Sequence, residues 1–155
     1  MKREIVIILH NIRSAYNVGA IFRTADATGV SRMYLSGYTP TPLDRFRKKR
    51  KDVAKSALGA EEYLPWEHHT KIDYVIKRLK RDGFSIVAVE QGVGAINYRS
   101  HKLHKKTAFL FGNEVRGLSQ ALLRKIDTVI EIPMRGKKES LNVSVAVGVV
   151  LFGVS

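Results

Sequence analysis

The chain has 155 residues, close to the length of one ordinary domain, and 45% of them are hydrophobic, which excludes a disordered or collagen-like chain. It contains no cysteine, so disulfide scaffolds, thiolate metal sites and cysteine nucleophiles are excluded as well. The 27 lysines and arginines against 14 acidic residues give a net charge of +13. This charge indicates an anionic binding partner, with nucleic acid as the first candidate and an anionic membrane surface as the second; the alternative is a solvated charged face with no specific partner.

The predicted elements alternate between strands and helices. In chain order we predict a strand at residues 5–9, a helix at 20–28, a strand at 33–35, helices at 51–58 and 72–79, strands at 84–89 and 107–111, a helix at 119–125, a strand at 128–132 and a buried helix at 143–152. This order predicts an α/β fold with a mostly parallel sheet and helices on both faces. Functional loops then lie beyond the carboxyl ends of the strands.

The chain shows no targeting or membrane segment. Residues 5–9 are too few for a signal peptide, and residues 143–154 are shorter than the ~20 residues that span a bilayer. We therefore expect a single domain over residues 1–155, cytoplasmic and without membrane contact. No metal site is expected, because His101 and His104 lack further ligands at zinc spacing.

The first of three polar patches follows the opening strand. Asn17 lies near the predicted start of a helix, where an ordinary N-cap is the alternative to a functional role. Arg23 lies among apolar, core-type neighbours, where a cation requires an anionic partner, and pairing with Asp26 is the alternative.

The other two patches also follow predicted strands. Residues 112–119 hold two glycines and a charged pair, which suits either close approach to a ligand or a plain strand-to-helix turn. Residues 132–144 run from a proline through a basic loop into a serine- and asparagine-rich helix start, which capping alone would also explain. Each patch is a weak signal by itself.

Together, in this order and spacing, the patches resemble the SpoU (TrmH-like) branch of the SPOUT RNA methyltransferases. Residues 17–23 match the first motif, residues 112–119 the second, and residues 132–134 with 140–144 the third. The resemblance covers essentially the whole chain. It implies a homodimer and an α/β fold with a C-terminal trefoil knot that forms the cofactor site.

The resemblance also implies a reaction, the transfer of a methyl group from S-adenosyl-L-methionine to a ribose 2′-hydroxyl of transfer or ribosomal RNA. The implied catalytic residues are Arg23, Asn17, Glu114, Ser140 and Asn142. The implied cofactor-binding residues are Val89, Gly112, Ile132, Met134, Ser140 and Leu141. Because arginine stays protonated at physiological pH, we expect Arg23 to stabilise the forming alkoxide rather than act as a bare base.

We expect two basic clusters to bind RNA phosphates, because we expect a single domain without a separate RNA-binding extension. The first basic cluster comprises Arg45, Arg47, Lys48, Lys49, Arg50 and Lys51. The second basic cluster comprises Arg99, Lys102, Lys105 and Lys106. Two alternatives stay open: a non-catalytic RNA-binding or ribosome-assembly factor that retains the fold, and a polybasic membrane-surface protein.

Overall fold

A seven-stranded parallel sheet forms the centre of the computed structural model, which describes residues 2–92 and 94–154. The strands are Glu4–His10 (β1), Arg32–Ser36 (β2), Trp66–His69 (β3), Ser85–Val89 (β4), Ile96–Asn97 (β5), Lys106–Phe111 (β6) and Thr128–Glu131 (β7). Their order across the sheet is β3-β2-β1-β6-β4-β7-β5, and every pair is parallel. The predicted α/β fold with a parallel sheet is confirmed.

Helices cover both faces of this sheet. They are Ala15–Ala27 (α1), Lys51–Ala57 (α2), Ala60–Tyr63 (α3), Ile72–Arg81 (α4), Gln120–Leu123 (α5) and Val143–Val154 (α6). Successive strand residues point to opposite faces. Ile7 and Leu9 of β1 therefore pack with α1, α2, α3 and α6, whereas Val6 and Ile8 pack with α4 and α5. No helix in the described residues is long and apolar enough to cross a membrane.

Helix α1 begins at Ala15, five residues before the predicted start. Ser14 is its N-cap, and the Ser14 hydroxyl accepts a hydrogen bond of 3.1 Å from the backbone N–H of Asn17. The N-cap alternative for Asn17 is therefore wrong, because Asn17 lies inside the helix and is buried.

Three short elements escaped prediction: α3, β3 and β5. Strand β3 lies at the edge of the sheet and carries His68 and His69, so it lacks the apolar run that marks a central strand. Strand β5 has only two residues and α3 only four, too few for any periodicity to show.

The C-terminal part of the chain is inserted between earlier elements. Strand β7 lies between β4 and β5, although β4 and β5 are consecutive in the chain. Helix α6 then packs against the 3₁₀ turn Tyr98–Ser100, which belongs to the connection between β5 and β6. This order favours the threaded topology that the resemblance implies, and the trefoil knot stays a prediction.

Candidate active site

The carboxyl ends of β1 and β6 meet at the middle of the sheet, where the strand order predicts a crevice. The two strands are neighbours, and the chain leaves β1 toward β2 on one side while β6 and β4 lie on the other. Such a switch in strand order opens a cleft where parallel α/β proteins bind ligands. The first and second polar patches both start here, directly after β1 and β6.

Glu114 connects the first two patches. Its carboxylate accepts hydrogen bonds from the backbone N–H groups of Arg13, at 3.0 Å, and Ser14, at 3.2 Å. The side-chain amide of Asn17 donates a further bond of 3.3 Å to the same carboxylate. Glu114 thus ties the loop after β6 to the start of α1.

These donors keep Glu114 ionised. Burial by itself would raise the pKa of the carboxyl group, but the backbone N–H groups of Arg13, Glu114 and Ser14 and the amide of Asn17 outweigh burial and lower the pKa below its usual value of 4.5. A lowered pKa means that the carboxylate stabilises the folded chain at any pH above the usual carboxyl pKa of 4.5. That contribution is lost as the pH falls through the folded-state pKa.

Replacing Glu114 with glutamine tests this stabilisation. We expect urea unfolding to show that Glu114→Gln lowers the free energy of unfolding more at about pH 6 than at a pH well below 4.5, because the contribution of the carboxylate is lost as the pH falls through its lowered folded-state pKa. Glu139→Gln is the matched control, because Glu139 is exposed and makes no hydrogen bond within the described residues. An equal loss for Glu114→Gln at both pH values would contradict the account.

Asn142 joins the third patch to the other two. Its side-chain amide donates to Asn17 Oδ1 at 3.3 Å, while its own Oδ1 accepts the backbone N–H of Ser144 at 2.9 Å and caps the start of α6. A continuous path of hydrogen bonds therefore runs from Glu114 through Asn17 to Asn142. The capping alternative for this patch is correct as well, since Asn142 performs both tasks.

A cavity of about 270 Å³ lies beside this hydrogen-bonded path. The six predicted cofactor-binding residues all line it, namely Val89, Gly112, Ile132, Met134, Ser140 and Leu141. Glu114 lines it too, so the cavity and the path share a wall. The role of these residues toward a cofactor stays a prediction.

Sequence reasoning missed several residues of this site. Glu90 lines the cavity and accepts the backbone N–H of Leu118 at 2.9 Å, which fixes the loop after β6 against the end of β4. Asn113 donates to the backbone carbonyl of Asn11 at 2.9 Å and to the hydroxyl of Tyr38 at 2.8 Å. Position directly after β4 was a usable signal for Glu90, whereas nothing in the sequence marked Tyr38.

Arg23 does not belong to the connected set. Its side chain is exposed on α1, and it makes no hydrogen bond or ion pair with any described residue, Asp26 included. Both expectations for Arg23, a core-facing cation with an anionic partner and an Asp26 pair, are therefore wrong. Its neighbour Thr24 faces Gly148 of α6, so Arg23 lies close to where α1 and α6 meet.

The first basic cluster lies at the carboxyl ends of the strands, as the crevice does. It occupies the loop that follows β2, and its last member, Lys51, begins α2. Two of its members are paired with acids: Lys49 with Glu62 at 2.6 Å and Arg50 with Asp52 at 2.7 Å. The remaining four cations have no ion pair in the part of the chain that the structure describes.

The second basic cluster reaches the amino-terminal ends of the strands, on the opposite side from the crevice. Lys106 begins β6, donates to the backbone carbonyl of Asp82 at 3.0 Å and lies 5.2 Å from the centre of the Phe84 ring. Arg99 donates to the hydroxyl of Tyr98 at 3.0 Å. The two clusters therefore do not form one surface around the crevice, and their RNA contacts stay predictions.

The fold is that of an α/β protein with a parallel sheet, and the polar patches lie at the carboxyl ends of its strands, where such proteins bind ligands. The chain belongs to the SpoU rRNA methylase family, whose model matches residues 4–152. It is 35% identical over 149 residues to a putative TrmH family tRNA/rRNA methyltransferase of Staphylococcus aureus, covering 96% of this chain and 57% of that protein. It is 34% identical over 150 residues to an uncharacterized tRNA/rRNA methyltransferase homolog of Mycoplasma pneumoniae, covering 96% of this chain and 59% of that protein.

Solved structures of related enzymes have the same fold as this chain. An AdoMet-bound rRNA methyltransferase from Sinorhizobium meliloti has a TM-score of 0.87 and 30% identity, over 99% of this chain and 56% of that one. The TrmH/SpoU tRNA modifying enzyme of A. aeolicus has a TM-score of 0.84 and 29% identity, over 99% of this chain and 74% of that one. The chain thus spans little more than half the length of the curated relatives that it matches.

Proposed function

We propose that the protein transfers a methyl group from S-adenosyl-L-methionine to a ribose 2′-hydroxyl of transfer or ribosomal RNA, in the cytoplasm and as a homodimer. The observation that carries this proposal is the hydrogen-bonded path from Glu114 through Asn17 to Asn142, which joins all three motifs beside one cavity. Relatives named as tRNA/rRNA methyltransferases, and a neighbour with AdoMet bound, support the same reaction.

The cavity suits the cofactor chemically. Val89, Ile132 and Leu141 offer apolar walls for a flat heterocycle, and the carboxylates of Glu90 and Glu131 suit a ligand that carries a sulfonium and an ammonium group. A Cβ at Gly112 would collide with the side chain of Leu118, so the backbone there packs more closely than any other residue would allow. These residues would hold the cofactor.

The chain's own residues then have separable tasks. When bound, the cofactor would supply the methyl group: the S–CH3 bond would break as the methyl group becomes bonded to the ribose 2′-oxygen, and the sulfur would leave as a neutral thioether. Asn17, Glu114 and Asn142 hold the loops in register, so that the nucleotide and the cavity meet in a fixed geometry, and positioning of this kind contributes up to about 7 to 11 kcal/mol. Arg23 stabilises the negative charge on the 2′-oxygen, while a phosphate oxygen of the RNA or water accepts the hydroxyl proton.

Helix α6 supports the homodimer. All twelve of its residues are uncharged, and only part of its surface is covered within the chain: Val145 is 51% exposed and Phe152 is 64% exposed. An exposed apolar face of this kind marks a protein interface. A second copy that covers α6 would lie next to Arg23, which would then act from the edge of the dimer interface.

Replacing Phe152 with glutamate tests this interface. We expect sedimentation equilibrium to show a dimer for the native protein and a monomer for Phe152→Glu, because a charge cannot be buried without a partner. Tyr74→Glu is the matched control, since Tyr74 is 53% exposed on α4, on the other face of the sheet. A dimer that Phe152→Glu leaves intact would place the interface elsewhere.

Calorimetric titration with S-adenosyl-L-methionine tests the proposed function. We expect saturable binding at one site per chain. Absence of binding at millimolar ligand would overturn the enzyme and favour the non-catalytic RNA-binding factor, because that factor needs the fold and the basic surface but not the cavity.

A further inference from the structure

A second concave surface lies at the carboxyl ends of the strands, as the crevice does. It is an open groove of about 790 Å³ between the loop at residues 37–50 and strand β3. Arg45, Arg47 and Arg50 line it, together with the half-buried Trp66 and with His68, whose ring nitrogen lies 2.9 Å from the carbonyl oxygen of Gly37. None of the three motifs includes any of these residues.

The basic tip of this loop has a defined conformation. Asp44 Oδ1 accepts the backbone N–H groups of Phe46 at 2.8 Å and Lys48 at 2.9 Å, and the Asp44 carbonyl accepts the N–H of Arg47 at 2.9 Å. Leu43 and Lys49 close the loop as an antiparallel bridge. A run of cations is thus held on a rigid turn instead of a mobile tail.

An aromatic side chain projects from the tip of this turn. Phe46 is 68% exposed, and the guanidinium of Arg45 lies 4.9 Å from the centre of its ring. Neither Arg45 nor Arg47 has an acidic partner in the described residues. An exposed ring between two unpaired cations provides both parts of a single-strand nucleic-acid site, a stacking surface and phosphate contacts.

Tyr38 connects the groove to the crevice. Tyr38 lines the groove, and its hydroxyl accepts the hydrogen bond from Asn113, which lines the cavity of the candidate active site. The two surfaces are therefore separated by a single hydrogen-bonded pair of side chains. A strand whose ribose lies in the crevice can continue into the groove without leaving the protein surface.

We propose that this groove binds the single-stranded nucleotides next to the methylated ribose, with phosphates against Arg45 and Arg47, and that one base stacks on Phe46, which projects from the turn beside the groove. The proposal rests on the proposed function, which supplies RNA as the substrate, and it adds the path of the strand and a stacking residue. A single strand suits the site because its bases are free to stack, whereas the bases of a duplex are already paired.

The sequence contains one tryptophan, Trp66, and its place in the groove makes it a specific probe. We expect a single-stranded oligouridylate to change the fluorescence of Trp66 and an RNA duplex of equal length to bind more weakly. Phe46→Ala should weaken single-strand binding about 5- to 150-fold, and Phe46→Tyr should restore it, because stacking needs only a ring. Arg47→Ala should make the slope of log K against the logarithm of the salt concentration shallower by about 1, which is the contribution of one phosphate contact.

Matched controls separate the possible failures. Tyr74→Ala removes an aromatic ring of similar exposure from the other face of the sheet and should bind as the native protein does. Three results would each overturn the groove proposal. They are native RNA affinity in Phe46→Ala, equal binding of duplex and single strand, and a Trp66 fluorescence that changes on protein dilution but not on addition of RNA. The last result would assign the groove to a second copy of the chain.

The groove proposal and the methyl-transfer proposal fail in different experiments. Phe46→Ala should retain the native affinity for S-adenosyl-L-methionine, because Phe46 does not line the cavity. If the native protein binds the cofactor but Phe46→Ala binds RNA normally, only the groove proposal is wrong. If the cofactor does not bind while Trp66 still reports the Phe46-dependent binding, only the methyl-transfer proposal is wrong.

Discussion

Replacing Arg23 with alanine is expected to lower the rate of methyl transfer by about 100-fold or more, the usual effect of removing a group that stabilises charge in the transition state. Cofactor affinity should not change, because Arg23 does not line the cavity. Folding should not change either, because Arg23 is exposed and bonded to no described residue. Single-turnover methylation with saturating RNA and cofactor measures the chemical step directly.

Arg23→Lys distinguishes two versions of this role. If charge alone matters, lysine should retain measurable single-turnover activity, whereas a requirement for the planar fork of arginine predicts a rate close to that of Arg23→Ala. Arg81→Ala, a loss of an exposed arginine at the end of α4, is the matched control and should leave the rate unchanged. Native activity in Arg23→Ala would remove Arg23 from the reaction.

Replacing Gly19 with alanine is expected to destabilise the protein, with a net loss of about 1 to 2 kcal/mol in the free energy of unfolding. Helices α1 and α2 pack closely here, and a Cβ at Gly19 would collide with the carbonyl oxygen of Val53 and the hydroxyl of Ser56. That hydroxyl also donates to the carbonyl of Tyr16 at 2.8 Å, so the two helices have little freedom to separate. The glycine of the first motif therefore serves helix packing.

Gly148→Ala in α6 provides the matched comparison, and we expect the opposite sign. A Cβ at Gly148 would meet only Thr24 Cγ2, at 3.8 Å, which is ordinary contact. Alanine favours a helix over glycine by up to about 1 kcal/mol, so Gly148→Ala should be neutral or stabilising. Urea unfolding of both variants tests the pair, and equal effects would show that the close approach of α1 and α2 is not what requires Gly19.

The central strands could be predicted from the sequence because a strand buried on both faces is a continuous run of apolar, β-branched residues. β1 and β6 are of this type. The edge strand β3 is half exposed and carries two histidines, so the same rule does not find it. The start of α1 was missed because Tyr16 and Asn17 interrupt the apolar pattern, although Asn17 is buried to reach Glu114 and Asn142.

The candidate site shows the same division between local and long-range information. Motif order predicted Asn17, Glu114 and Asn142 as site residues, and the structure joins them by hydrogen bonds that the sequence could not display. The environment of Arg23 was misjudged because apolar neighbours along a helix do not fix the direction of one side chain. Tyr38 was missed because its position depends on a contact with Asn113, far away in the chain.

Transfer of an isotopically labelled methyl group tests the central claim most directly. The purified protein is incubated with trideuteromethyl S-adenosylmethionine and total RNA from cells that lack its gene, and the RNA is digested to nucleosides for mass spectrometry. We predict the label on a ribose 2′-oxygen of one nucleotide in transfer or ribosomal RNA, with labelling by Arg23→Ala slower by about 100-fold or more. Label on a base, or no label in any RNA, would contradict the proposed reaction.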